Sequence, residues 1–267
     1  MALLASSTWG EGPRLVLCHG FTQTRGAWGL FGESLATHHT IVAVDLPGHG
    51  AMADLDLDVV NTAHALLDTV GDEPFSLLGY SMGGRVALTA AMMQPRNLEA
   101  LVLLGASPGI ANEEERLARI AQDNELADEL AQSGDVAAFL DRWLAQPLFA
   151  GLDDLSAQRA ARLANTAEGL ARSLRRMGTG TQQSAWGFLD MIEAPTLLIA
   201  GERDQKFTAI AHAMSEELPN STVAIAPQSG HACHLEHPEA VAQVVTHWLE
   251  AIHASAKPKA KRPPTNN

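Results

Sequence analysis

Gly79-Tyr80-Ser81-Met82-Gly83-Gly84-Arg85 orders its residue types as a tight turn built around one hydroxyl. The apolar run Phe75-Ser76-Leu77-Leu78 precedes it and reads as a short buried strand. Val86-Ala87-Leu88-Thr89-Ala90-Ala91-Met92 follows and reads as a packed helix. A strand that turns straight into a helix leaves no room for a Cβ around the turn residue, and Gly79 and Gly83 flank Ser81. This is the pattern of a nucleophile elbow, which lifts Ser81 to the top of a sheet. A plain Gly-Ser turn also satisfies the bare G-x-S-x-G spacing; the strand before and the helix after carry the sharper reading.

Outward from the elbow, strand-like runs recur at Leu15–Cys18, Ile41–Val44, Leu101–Leu104, Thr196–Ile199 and Thr222–Ile225. They are continuous rather than alternating, as in strands covered on both faces, so the sheet is expected to be mostly parallel. Loops bearing Gly, Asp and His follow their C-terminal ends, where open α/β sheets place their sites. The fold class expected is doubly wound α/β. From Pro108 to about Asp190 no strand-like run appears, and the text is rich in Ala, Leu, Glu and Arg. Asn112 with Glu115 makes a capping-type start, with Leu117, Ile120 and Ala121 at helical spacing behind it. Further helices are expected over Val136–Leu144, Ala157–Ala164 and Gly169–Met177. The organisation expected is a core over 1–107, a helical cap over 108–190, the core again over 191–253, and a disordered basic, Pro-rich tail over 254–267.

A serine at an elbow needs a base and an acid to orient it, in the chain order Ser, Asp or Glu, His. Asp204, in Gly201-Glu202-Arg203-Asp204, follows the Thr196 strand; His231, in Ser229-Gly230-His231, follows the Thr222 strand. Asp204 can also be a simple helix cap, and Glu202 is a rival acid. His231 competes with His234 and His237, but no carboxylate or cysteine accompanies these histidines at metal-ligand spacing, so no metal is expected. Glu236-His237-Pro238-Glu239 looks like the start of the final helix. In His19-Gly20-Phe21 the glycine lets the backbone turn close to the nucleophile, and the amides of Phe21 and Met82 could form an oxyanion hole. In Asp45-Leu46-Pro47-Gly48-His49-Gly50, His49 reads as a brace for the loop rather than a reactive group.

The chain has 267 residues, 46% of them apolar, enough for one α/β domain with an insertion. Four of the 18 basic residues lie in the tail, so the body carries 14 against 31 acidic residues, a net −17. Such a surface repels nucleic acid and anionic membranes. Met1 to Gly10 lacks a basic start, and no stretch approaches the roughly 18 apolar residues of a membrane span. With Cys18 and Cys233 in unrelated contexts, a reduced cytoplasmic setting fits. Lys206 is the only lysine before the tail; the other body cations are arginines, which suit fork-shaped carboxylate contacts. Arg85 lies four residues after Ser81 in the first turn of the elbow helix, where a cation opposes the helix dipole at a cost of about 0.3–1 kcal/mol. A bound anion or an ion pair to a cap acid would offset that.

Together these features resemble the α/β-hydrolase superfamily over nearly the whole chain short of the tail. A serine at the elbow separates it from the dehalogenase and epoxide hydrolase branches, which use Asp there. The finer resemblance is to the MenH family of menaquinone biosynthesis. It rests on Gly79 to Ala87, Trp143-Leu144-Ala145-Gln146-Pro147-Leu148-Phe149, Gly169-Leu170-Ala171-Arg172-Ser173-Leu174 and Gly201-Glu202-Arg203-Asp204-Gln205-Lys206-Phe207. That resemblance implies a cofactor-free lyase, with Arg85, Arg119 and Arg162 gripping substrate carboxylates and Tyr80 and Trp143 lining the pocket. Arg116 and Arg159 remain alternatives to Arg119 and Arg162. The partner implied is a small polycarboxylate, with the chain a monomer or weak homo-oligomer. The rival reading is an ester or carbon–carbon hydrolase working through an acyl-enzyme.

Overall fold

The computed structural model describes residues 3–152 and 155–256. Its strands are β1 (Ser6–Trp9), β2 (Arg14–Cys18), β3 (Thr40–Val44), β4 (Phe75–Tyr80), β5 (Leu98–Leu104), β6 (Thr196–Gly201) and β7 (Ser221–Ala226). They form one sheet in the order β1-β3-β2-β4-β5-β6-β7, parallel throughout except where β1 pairs with β3. Every position of β4 and β6 is buried, as their unbroken apolar runs require. β1 is the strand the sequence did not announce. Ser6-Ser7-Thr8-Trp9 is a largely exposed edge with a ladder on one side, so it carries no apolar run.

The helices are α1 (Gly29–Ala36), α2 (Val59–Val70), α3 (Met82–Met92), α4 (Glu113–Ser133), α5 (Val136–Leu144), α6 (Leu155–Arg162), α7 (Ala167–Met177), α8 (Gln205–Glu217), α9 (Cys233–Glu236) and α10 (Pro238–Ala256). Alternate strand residues feed two cores. Val16, Leu77, Leu101 and Leu198 pack with α2, α3 and α8 on one face of the sheet. Leu15, Leu78, Val102 and Ile199 pack with Phe31 and Leu35 of α1 and Val245 and Leu249 of α10 on the other. From β2 the chain moves to β3 on one side, then crosses to β4 on the other. Loops leaving β2 and β4 diverge at that switch, opening a crevice at the carboxyl ends of the strands. His19-Gly20-Phe21 and Ser81 meet there.

Helices α4 to α7 lie between β5 and β6 in the chain. Asn112 caps α4, its side chain accepting from the Glu115 amide at 3.0 Å. α5 spans Val136–Leu144, and α6 and α7 each begin two residues before the expected start. The inward face of α4 corrects the sequence reading. Leu117 and Ala121 are exposed, while Asp123, Ala127 and Leu130 are buried. Asn112, Glu115, Arg119 and Asp123, spaced three and four apart, line a cavity rather than a helix partner. These four side chains are polar, so the hydrophobic pattern pointed elsewhere. Residues 254–256 continue α10; the rest of the expected tail lies outside the described residues. Among the described residues no helix is long and apolar enough to cross a membrane.

Candidate active site

Ser81 adopts φ +51° and ψ −108°, a conformation side chains rarely tolerate, at the N-cap of α3. Backbone bonds hold it there: its amide donates to the Leu104 carbonyl at 2.8 Å, and its carbonyl accepts from the Arg85 amide at 3.1 Å. A Cβ on Gly83 would stand 2.0 Å from the Cys18 carbonyl oxygen, and one on Gly79 would stand 2.4 Å from the Gly83 oxygen. Both glycines are therefore steric requirements of the elbow. The Ser81 side chain caps nothing, which leaves Oγ to other partners.

One such partner is His231, whose Nε2 lies 3.0 Å from Ser81 Oγ. His231 Nδ1 lies 2.7 Å from Asp204 Oδ2. A carboxylate only accepts, so Nδ1 carries the proton and Nε2 is left to accept from the serine hydroxyl. Asp204 performs both roles the sequence offered it: its other oxygen accepts from the Phe207 amide at 3.3 Å and caps α8. Glu202 points elsewhere, accepting from the Gln228 amide. The three neighbouring histidines part company. His231 faces Ser81, His234 is buried against Tyr80, and His237 is exposed.

The turn after β2 is braced from all sides except one. The Gly20 amide donates to Gln23 Oε1 at 2.9 Å, and the Thr22 amide donates to His49 Nε2 at 3.1 Å. Between them, the Phe21 amide has no acceptor among the described residues. The Met82 amide, at the first position of α3, has no intrahelical partner either. Both residues line the cavity that Ser81 opens into. His49 is the expected brace, its Nδ1 donating to the Pro47 carbonyl at 3.0 Å. His19 is a second one that the sequence did not single out, accepting from the Leu46 amide at 3.0 Å.

The cavity measures about 690 Å³ and is shared by Ser81, His231, Trp143, Arg85 and Arg119. Arg85 is buried, and its partners within the protein are carbonyl oxygens rather than a cap acid. It donates to the Met177 and Gly178 carbonyls at the end of α7 and to Gln182 Oε1. Carbonyls at a helix C-terminus carry partial negative charge, so the last turn of α7 offsets the unfavourable position. Burial, then the nearby Arg119, lower its pKa to about 10, which leaves it cationic at neutral pH. Arg119 donates from Nε to the buried Asp123 at 2.9 Å and borders the cavity. Arg116 is instead tied to Glu113 and the Gly180 carbonyl. Arg159 pairs with Asp141. Arg162 is buried behind the cavity wall rather than in it, donating to Thr22 Oγ1 and to Gln158. Tyr80 likewise sits behind the wall, its ring packed on His231 at 5.4 Å and His234 at 4.3 Å.

Burial lowers the pKa of four histidines, His19, His39, His49 and His234. Burial lowers His19 to about 4, and burial lowers His49 and His234 to about 3. The unfolded chain takes up protons near pH 6.5, so folded stability is complete above that pH and falls as pH drops towards 4. Each such group costs up to about 1.4 kcal/mol per pH unit in that window. The His234 Nδ1 has no hydrogen-bond partner among the described residues, and its ring packs among Trp28, Phe31 and Tyr80. His234→Phe is therefore expected to flatten the fall in melting temperature between pH 7 and 4.5. Identical slopes for variant and parent would reject this account.

Residues 15–244 match the profile of the alpha/beta hydrolase family. A putative 2-succinyl-6-hydroxy-2,4-cyclohexadiene-1-carboxylate synthase of Bacillus subtilis is 36% identical over 259 residues, covering 91% of this chain and 93% of its own. The synthase of that name from Escherichia coli O1:K1 is 33% identical over 235 residues, covering 86% and 90%. Among solved structures, MenH from S. aureus aligns with a TM-score of 0.86 at 31% identity, covering 93% of this chain and 98% of its own.

Proposed function

The chain belongs to the alpha/beta hydrolase family and, within it, to the MenH synthases, and from that premise we propose that it is a lyase. Its substrate in this reading is 2-succinyl-5-enolpyruvyl-6-hydroxy-3-cyclohexene-1-carboxylate, an intermediate of menaquinone biosynthesis. Loss of pyruvate gives 2-succinyl-6-hydroxy-2,4-cyclohexadiene-1-carboxylate, the compound for which the relatives are named. The observation that carries the reading is a serine–histidine–aspartate array opening into the same cavity as Arg85 and Arg119.

His231, oriented by Asp204, draws the proton from Ser81 Oγ, and the serine oxygen removes the ring proton beside the succinyl ketone. The ketone oxygen becomes an oxyanion, which the Phe21 and Met82 amides are placed to stabilise. Collapse of that enolate forms one ring double bond, shifts the existing one and breaks the bond to the enolpyruvyl oxygen. The leaving group departs as the enolate of pyruvate and takes up a proton. Only protons move and no electrons are exchanged with an outside carrier, so the reaction needs no redox cofactor. No acyl-enzyme forms.

Arg85 and Arg119 supply fork-shaped donors for carboxylates, and Trp143 supplies an apolar wall. Arg162, bonded to the residue after Phe21, braces the oxyanion turn, and Tyr80 backs the His231 ring. A neutral-ester hydrolase has little use for two cations beside its nucleophile. The test is incubation with the enolpyruvyl substrate and with a nitrophenyl ester in parallel. We expect rapid pyruvate release and slow nitrophenol release; the reverse would replace the lyase with an esterase.

A further inference from the structure

Lys206 is left unexplained by this account. It is the only lysine before residue 257, and it borders the same cavity as Ser81, Arg85, Arg119 and His231. It is the second residue of α8, a first turn that holds no acidic residue, where a cation opposes the helix dipole. Acidic residues far outnumber basic ones in this chain, yet no carboxylate pairs with Lys206 among the described residues. Its nearest recorded partner is the Phe207 ring, 5.7 Å from Nζ, and that ring lies 4.5 Å from the His231 ring. An unpaired cation in an unfavourable place, on the wall of the cavity that holds Ser81 and His231, points to an anion that arrives with the substrate.

We infer that Lys206 seats the carboxylate of the departing enolpyruvyl group, an assignment that rests on the proposed elimination. Arg85 and Arg119 come from α3 and α4, whereas Lys206 comes from α8 next to Asp204. The substrate has three carboxylates. Two stay on the product and suit the paired guanidiniums; the third leaves in every turnover. A mobile, well-hydrated ammonium holds a carboxylate less rigidly than a guanidinium fork, which suits a group that must be released. Lys206 is exposed, so its seat lies where the small product can escape to solvent.

The experiment compares the parent enzyme with Lys206→Gln and Lys206→Arg. For Lys206→Gln, KM for the enolpyruvyl substrate is expected to rise roughly three- to tenfold, with Lys206→Arg staying within about twofold of the parent. Binding of the diene product, which lacks the third carboxylate, should stay within about twofold in both variants. Inhibition by added pyruvate should weaken in Lys206→Gln. Equal losses for substrate and diene product would place Lys206 on a different carboxylate and overturn the assignment. An unchanged KM in an enzyme that does release pyruvate would remove Lys206 from the site while leaving the elimination intact. A parent enzyme that releases no pyruvate would overturn the elimination and, with it, this seat.

Discussion

Ser81→Ala is expected to slow pyruvate release by about a thousandfold or more while leaving the fold intact. Alanine keeps the Cβ, and the strained turn is held by backbone bonds to Leu104 and Arg85 rather than by the hydroxyl. What disappears is the oxygen 3.0 Å from His231 Nε2, and with it the group that reaches the substrate. Steady-state pyruvate release and a thermal melt check both halves of this expectation. The same protein separates two uses of one serine. If Ser81 acts as a base, mass spectrometry during turnover of the parent enzyme shows no covalent adduct. A stoichiometric acyl-enzyme would assign it to nucleophilic catalysis instead.

Asp204→Asn is expected to cost a thousandfold to about ten-thousandfold in rate with almost no change in melting temperature. Asparagine is as good an N-cap as aspartate, and its oxygen can still accept from the Phe207 amide. Its NH₂ group would then face His231 Nδ1, a donor where an acceptor stood. The imidazole has to move its proton to Nε2, where it points at Ser81 Oγ and can no longer accept the serine proton. A variant retaining more than a tenth of parental activity would show that orientation of His231 by Asp204 is not required. A large fall in melting temperature would show that the cap, not the tautomer, dominates.

Much of this site is legible in the sequence. The elbow's sequence pattern is local, a serine between two glycines two residues away, although the Cβ that Gly83 must lack would strike the distant Cys18 carbonyl. Asp204 and His231 are legible because each lies in the segment that follows a strand-like apolar run. Asn112 and the helices after it follow from capping chemistry and 3.6-residue spacing, which are also local. β1 was missed because an exposed edge strand buries too little to leave a pattern.

The arginines show where local reasoning ends. Sequence alone left Arg119 level with Arg116, and Arg162 level with Arg159. Only packing decides which guanidinium meets the buried Asp123 and which meets the surface acids Glu113 and Asp141. For Arg85 the sequence offered an anion or an acid, and the tertiary structure supplied the carbonyl end of a helix some ninety residues away. The inward placing of Tyr80 and Arg162, behind the wall rather than in it, is of the same kind. The chain determined by itself that a serine would be exposed at a strained turn, with an acid and a base after later strands, because those signals act over a few residues. Which cations share its cavity was decided only by folding, because a charged side chain takes its partner from whatever distant backbone or carboxylate the packed elements bring within reach.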